Sequence, residues 1–168
     1  MRLLAIDPGL YFTGYAVFVR DGSATLLLAA DAIKVKGTLS IPQKLKFLYD
    51  TLNNMICEYE ITDIALETPF LGKNAATFGK LAYIRGTLYL LSEIHSLQIH
   101  EFAPQEVKKA VTGVGNADKE SVARVMRSRF PKLKVSVRTD VTDAVAIGMS
   151  AILIGVGRAR VSGTGRKR

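Results

Sequence analysis

The sequence predicts an α/β domain: a mixed five-stranded sheet, its first three strands antiparallel, flanked by helices. Three observations predict it. Short apolar runs near the N-terminus are separated by tight turn signals. The hydrophobic period then lengthens to three- and four-residue steps. Finally, strand-length apolar runs alternate with helical stretches, giving the order βββαβαβα of a layered α/β unit.

Residues 3–7 form a short apolar run stopped by Pro8-Gly9, read as a buried strand. Residues 14–20 give a second strand, Asp21-Gly22 a hairpin turn, and residues 25–35 a third strand where the hairpin partner belongs. Ile41, Leu45, Leu48, Leu52, Met55, Ile56 and Tyr59 then mark an amphipathic helix over about 40–60, with Ser40 as its cap. Residues 61–67 are a fourth strand. Residues 75–96 are a long helix carrying Phe78, Leu81, Ala82, Leu88, Tyr89 and Leu91, and residues 97–102 are a fifth strand. Pro104 opens a helix that ends near Val111, with Gly113 after it. Helices over 118–130 and 141–154 complete the chain.

At 168 residues, one domain is expected. Hydrophobic residues at 48% and charged residues at 23% exclude a disordered chain, a collagen and a coiled coil. The single cysteine, Cys57, excludes a disulfide scaffold and a zinc cage, and reads as a small core residue. The weakly charged stretch over 144–157 is shorter than the roughly 20 apolar residues of a bilayer span. Arg2 and a short apolar run do not make a secretory signal, so a cytoplasmic protein is expected.

The 23 Lys and Arg against 15 Asp and Glu leave a net charge of +8, which points to a polyanionic partner. Arg158, Arg160, Arg166, Lys167 and Arg168 lie near the C-terminus with no acid among them. A domain over 1–157 followed by a basic, flexible tail over 158–168 is therefore expected. The tail lacks bulky apolar anchors, so nucleic acid is favoured over a membrane.

Against this basic background, four acids sit where apolar elements stop or start: Asp7, Glu67, Asp140 and Asp143. The last two are three residues apart and share a helical turn. Each has an ordinary alternative: turn former for Asp7, solvated strand end for Glu67, helix cap for Asp140 or Asp143. If they converge, mutual repulsion of about 4 kcal/mol per pair at 4 Å in a medium of dielectric 20 demands protons or a cation. The two histidines, His95 and His100, read as structural. An all-oxygen donor set selects Mg²⁺ or Mn²⁺. Hard cations beside a basic surface point to two-metal phosphodiester hydrolysis. One ion would activate water and the other stabilise the leaving 3′ oxygen, about 3.5–4 Å apart.

These residues also fall into four ordered blocks. The first is Ala5-Ile6-Asp7-Pro8-Gly9 with Thr13-Gly14-Tyr15. The second is Ala65-Leu66-Glu67 with Phe70, Lys73-Asn74 and Arg85-Gly86. The third is Val107-Lys108 with Gly113-Val114-Gly115 and Asp118-Lys119. The fourth is Asp140-Val141-Thr142-Asp143-Ala144-Val145-Ala146. Spanning residues 5 to about 150, they resemble the blocks of the RuvC family, the bacterial Holliday junction resolvases. The resemblance implies an RNase H-like fold and a homodimer that makes paired, symmetric nicks in two strands of like polarity across a four-way DNA junction. It implies 5′ phosphate and 3′ hydroxyl products, a role in homologous recombination and DNA repair, two Mg²⁺ ions per site with Mn²⁺ as a substitute, and the RuvA–RuvB branch-migration complex as partner.

By the same resemblance, Asp7, Glu67, Asp140 and Asp143 are the metal-binding carboxylates, with Asp7 bridging both ions, and Lys108 and Lys119 are active-site lysines. Phe70 is the aromatic that stacks on an unpaired base at the junction centre, with Lys73 and Asn74 beside it. Gly113 and Gly115 let the backbone approach DNA near Asn116 and Lys119. The helix carrying Leu81, Tyr83, Arg85, Gly86 and Tyr89 forms the dimer. The chain departs from the family pattern at Thr68-Pro69, at Leu10-Tyr11-Phe12 and at Thr139-Asp140-Val141-Thr142, where altered sequence preference and junction geometry are expected. Three rivals remain: a YqgF-type RNase H-like nuclease acting on RNA, an actin-like ATPase, which needs a second lobe, and a catalytically silent junction binder, which would have lost acids.

Overall fold

Strand β1 (Arg2–Asp7) is the middle of the sheet, and its composition shows why. Leu3 and Ala5 point to one face, Leu4 and Ile6 to the other, and all four are fully buried. A strand covered on both faces reads as an unbroken apolar run rather than an alternating one. The computed structural model describes residues 1–69, 75–131, 133 and 138–155. The Phe70, Lys73 and Asn74 expectations and the 158–168 tail lie outside those residues.

β2 (Phe12–Asp21) pairs antiparallel with β1, and β3 (Ala24–Lys34) antiparallel with β2 through the turn at Gly22, whose φ is +55°. β4 (Asp63–Glu67) then joins the other side of β1 in parallel, followed by β5 (Gln98–Phe102), also parallel. The order is β3-β2-β1-β4-β5. The expected mixed sheet, with its antiparallel meander first, is what forms.

Helices cover both faces. α1 (Ile41–Glu58) and α2 (Ala75–Ile94) pack over Leu4, Ile6, Val17, Ile64 and Leu66. α1 starts as the sequence indicated: the Gln43 side chain accepts a hydrogen bond from the Ser40 backbone N–H at 2.9 Å. On the opposite face lies α5 (Thr139–Ile154), with α3 (Pro104–Thr112) and α4 (Lys119–Arg129) packed against it. α5 is buried nearly all round and rests directly on the sheet. A Cβ at Gly148 would sit 2.3 Å from a ring carbon of Phe18 and 2.9 Å from the Ala5 methyl.

Two sequence expectations need correction. Cys57 is exposed, not in the core. The buried stripe of α1 is Lys44, Leu48, Leu52, Met55 and Ile56, and a further step of about 100° from Ile56 turns position 57 out to water. That stripe also includes a lysine. Lys44 lays its stem along the core and delivers its amine to the Leu10 carbonyl at 3.4 Å, over the Tyr11 ring. The last helix begins at Thr139 rather than 141, which brings Asp140 into its first turn.

Candidate active site

The site is assembled at the C-terminal edge of the two central parallel strands. Ile6 of β1 is in register with Leu66 of β4, so the next residues, Asp7 and Glu67, end neighbouring strands side by side. Crevices beyond the carboxyl ends of parallel strands are where α/β sheets form sites. Asp7 also pairs across the antiparallel side with Gly14.

Gly14 explains how the third and fourth acids arrive. A Cβ there would lie 2.0 Å from the backbone oxygen of Asp140 and 3.0 Å from the Val141 nitrogen. Only glycine lets the first turn of α5 press against β2 opposite Asp7. Beside it, Thr13 is fully buried, and its hydroxyl donates to the Gly9 carbonyl at 3.1 Å and accepts from the Gly9 N–H at 3.3 Å. This closes the loop that follows Asp7. The Thr-Gly pair thus has a geometric reason that the sequence alone did not supply.

Neither Asp140 nor Asp143 caps α5. The N-cap is Arg138, with no side-chain cap bond. Both acids project from the first turns toward charged partners instead. Asp140 Oδ2 accepts from Arg138 Nε at 3.0 Å and lies 3.0 Å from its Nη2 in an ion pair, and Asp143 Oδ2 lies 3.3 Å from Lys119 Nζ. Lys119 is the first residue of α4, placed by an N-cap in which Asp118 accepts from the Ser121 N–H at 2.7 Å. Lys108, on α3, shares with Glu67, Lys119 and Asp143 the lining of a cavity of about 200 Å³. Both expected lysines therefore face the acids.

The electrostatics agree with this convergence. The Asp7 carboxyl is pushed up from 3.8 to about 7, first by burial, then by Asp143, Asp140 and Glu67, with Lys119 opposing. Burial and Asp143 also raise Glu67, while Lys119 and Lys108 pull it down. Lys119 is held above its ordinary value chiefly by Asp143. The acids thus sit within one another's field and carry more negative charge than the two lysines offset. Among the described residues, no three His, Cys, Asp or Glu side chains stand close enough together to hold a metal ion as they are. Asp140 is paired with Arg138 and Asp143 with Lys119. The donor set itself fits a hard divalent cation: it is all oxygen, and the carboxyl of its most enclosed member, Asp7, is raised by burial and by the three other acids.

Arg85, expected with the dimer helix, finds partners within its own chain. It is buried inside its own chain. Its guanidinium donates to the Glu67 backbone carbonyl at 2.7 Å and forms an ion pair with Glu101 of β5, which also accepts from the Tyr89 hydroxyl at 2.8 Å. Arg85 therefore ties the end of β4, and with it Glu67, to α2 and β5. The readable signal was an arginine in line with the buried Ile84, Leu88, Leu91 and Ser92 of α2, a place where a charge needs a partner.

The other expected positions fall as follows. Tyr83 is exposed, Gly86 faces open space, Tyr89 is exposed with its hydroxyl on Glu101, and Leu81 is half-buried against its own core. Gly113 ends α3 with φ +81°, the left-handed conformation that favours glycine. A Cβ at Gly115 would lie 3.5 Å from the Gln105 carbonyl oxygen, an ordinary contact distance, and Asn116 is exposed. The histidines are remote from the acids: His95 bonds Asn53 at 2.8 Å and His100 bonds Asp63 at 2.9 Å.

A family model described as crossover junction endodeoxyribonuclease RuvC matches residues 3–151. The crossover junction endodeoxyribonuclease RuvC of Chloroherpeton thalassium is 38% identical over 149 residues, covering 89% of this chain and 80% of that protein. Its counterpart in Rickettsia felis is 36% identical over 147 residues, covering 88% and 94%. Among solved structures, Thermus thermophilus RuvC in complex with a Holliday junction substrate superposes with a TM-score of 0.84 at 21% identity, covering 92% of this chain and 94% of that one. The yeast mitochondrial Holliday junction resolvase gives 0.66 at 12% identity, covering 90% and 78%. At these identities the solved structures speak to the fold alone.

Proposed function

The chain belongs to the RuvC family of crossover junction endodeoxyribonucleases, enzymes that hydrolyse phosphodiester bonds, and from that premise we propose that it resolves four-way DNA junctions by paired, symmetric nicks in two strands of like polarity. The single observation that supports this is that β1, β4 and the first turns of α5 place Asp7, Glu67, Asp140 and Asp143 within one another's electrostatic field at one strand-end crevice. These four carboxylates would hold two Mg²⁺ ions, with Mn²⁺ as a substitute. When bound, the ions supply an activated water and offset charge on the leaving 3′ oxygen.

The remaining work belongs to the protein. Asp7, the most enclosed of the acids, sits between the Glu67 side and the α5 side and anchors the site. Lys119 and Lys108 face the space above the acids, where an ammonium offsets the charge that builds on the phosphoryl oxygens in the transition state. Arg85 holds the Glu67 backbone in place. Water attack that breaks the P–O3′ bond, with O3′ leaving, gives 5′ phosphate and 3′ hydroxyl ends that can be religated.

Two symmetric nicks need two copies of the site. The outward face of α2, with Tyr83, Leu90 and Ile94 all exposed and Gly86 open, supports a homodimer through that helix. Phe70 with Lys73 and Asn74, the Gly113–Asn116 turn and the basic 158–168 tail complete the proposed DNA contacts. The RuvA–RuvB complex, a cytoplasmic setting and a role in recombination and repair are proposed on family membership.

A nicking assay on mobile and immobile four-way junctions tests this, with linear duplex as control and Mg²⁺ or EDTA present. Paired nicks in opposed strands, dependent on Mg²⁺ and sealed by ligase, are expected. Equal cutting of linear duplex, or cutting of structured RNA instead, would replace this reading with another RNase H-like nuclease.

A further inference from the structure

Three observations converge on Arg138. It occupies the N-cap of α5 yet contributes no cap bond, and its positive charge sits at the helix end that already carries a positive partial charge. For α5 as a helix, this is a poor residue in this place. Yet its guanidinium lies 3.5 Å above the ring of Phe12, at the start of β2, and its Nε and Nη2 both reach Asp140 Oδ2 at 3.0 Å. The side chain is still 49% exposed. An aromatic brace on one face, a carboxylate on one edge and water elsewhere describe an arginine held ready for an anion.

Its position gives the anion's identity. Lys119 and Lys108 stand on the α3–α4 side of the acids, and Arg138 stands on the β2 side. A nucleic-acid strand whose reacting phosphate lies over the acids therefore runs past cations on both sides. We propose that Arg138, braced on Phe12, binds a backbone phosphate of the DNA strand flanking the one that is cut. In the free protein the guanidinium rests on Asp140, and it passes to the phosphate when DNA arrives. This inference rests on the junction-resolving function proposed above.

The test is binding without cleavage. Fluorescence anisotropy with a labelled synthetic four-way junction in EDTA gives Kd at several salt concentrations for the wild type, Arg138→Ala, Arg138→Lys and Phe12→Leu. Each released phosphate contact removes about 0.9 from the slope of log affinity against log salt. Arg138→Ala is expected to weaken binding roughly three- to tenfold and flatten the slope by about one contact per subunit. Arg138→Lys should keep the slope. Phe12→Leu should weaken binding with the slope intact, since it removes the brace and leaves the charge. An Arg138→Ala protein with wild-type circular dichroism, Kd and slope would confine Arg138 to holding Asp140 and overturn the inference. A wild-type protein that does not prefer the junction over linear duplex would instead overturn the function on which it rests. Should Arg138→Ala not fold, Phe12→Leu decides: unchanged Kd overturns the proposal.

Discussion

Asp7→Asn gives the strongest test of how the acid cluster is built, because it should improve the fold while removing the activity. The Asp7 carboxyl stands at about 7 in the folded chain against an ordinary 3.8. The unfolded chain therefore releases this proton from about pH 4 upward, while the folded chain keeps it until about pH 7. Over that window the unfolded state binds fewer protons, so stability falls as pH rises and levels off above 7. At about 1.4 kcal/mol per pH unit, the full penalty approaches 4 kcal/mol, and relaxation of the site makes about 2–4 kcal/mol the working range. Asparagine keeps the shape and discards the charge. In EDTA at pH 8, Asp7→Asn should melt roughly 5–12 °C above wild type, and the gap should shrink toward zero near pH 4. Mg²⁺ or Mn²⁺ should raise the wild-type melting temperature more than that of the variant. Thermal unfolding from pH 4 to 8 with and without the ion measures all of this. A variant less stable than wild type at pH 8, or a difference that ignores pH, would refute the picture of a half-buried carboxylate crowded by three others.

Three further perturbations probe the scaffold and the chemistry. Gly14→Ala forces a methyl into the Asp140 backbone oxygen 2.0 Å away; by shifting α5 it should lower the single-turnover nicking rate at least tenfold while junction binding in EDTA persists. Arg85→Met leaves Glu101 without its cation and the Glu67 carbonyl without its donor, so urea unfolding should show a loss of about 1–3 kcal/mol. Lys119→Ala should slow single-turnover strand scission by about a hundredfold with little change in melting temperature, since its pairing with Asp143 is largely exposed.

What could be read from the sequence was whatever is written locally. β1 and β4 were legible because central strands are apolar on both faces, and Asp7 and Glu67 stood out as acids that end such runs. The capping signal at Ser40 and the stop at Gly113 were legible for the same reason: each acts within a few residues of itself. The contacts that finish the site join distant positions: Gly14 against Asp140, Arg85 against Glu67 and Glu101, Phe12 beneath Arg138. No local pattern encodes these pairings, so the partners of Arg85 went unread. Cys57 failed for a narrower reason. Its burial depends on helical phase, and one position separates it from the fully packed Ile56.

The central claim is that folding gathers Asp7, Glu67, Asp140 and Asp143 into one pocket that two divalent ions fill. Anomalous diffraction from crystals soaked in Mn²⁺ tests it most directly. The account predicts two peaks among these carboxylates, with Lys119 and Arg138 released from Asp143 and Asp140. Carboxylates still paired with their lysine and arginine, and no anomalous density between them at saturating Mn²⁺, would contradict it.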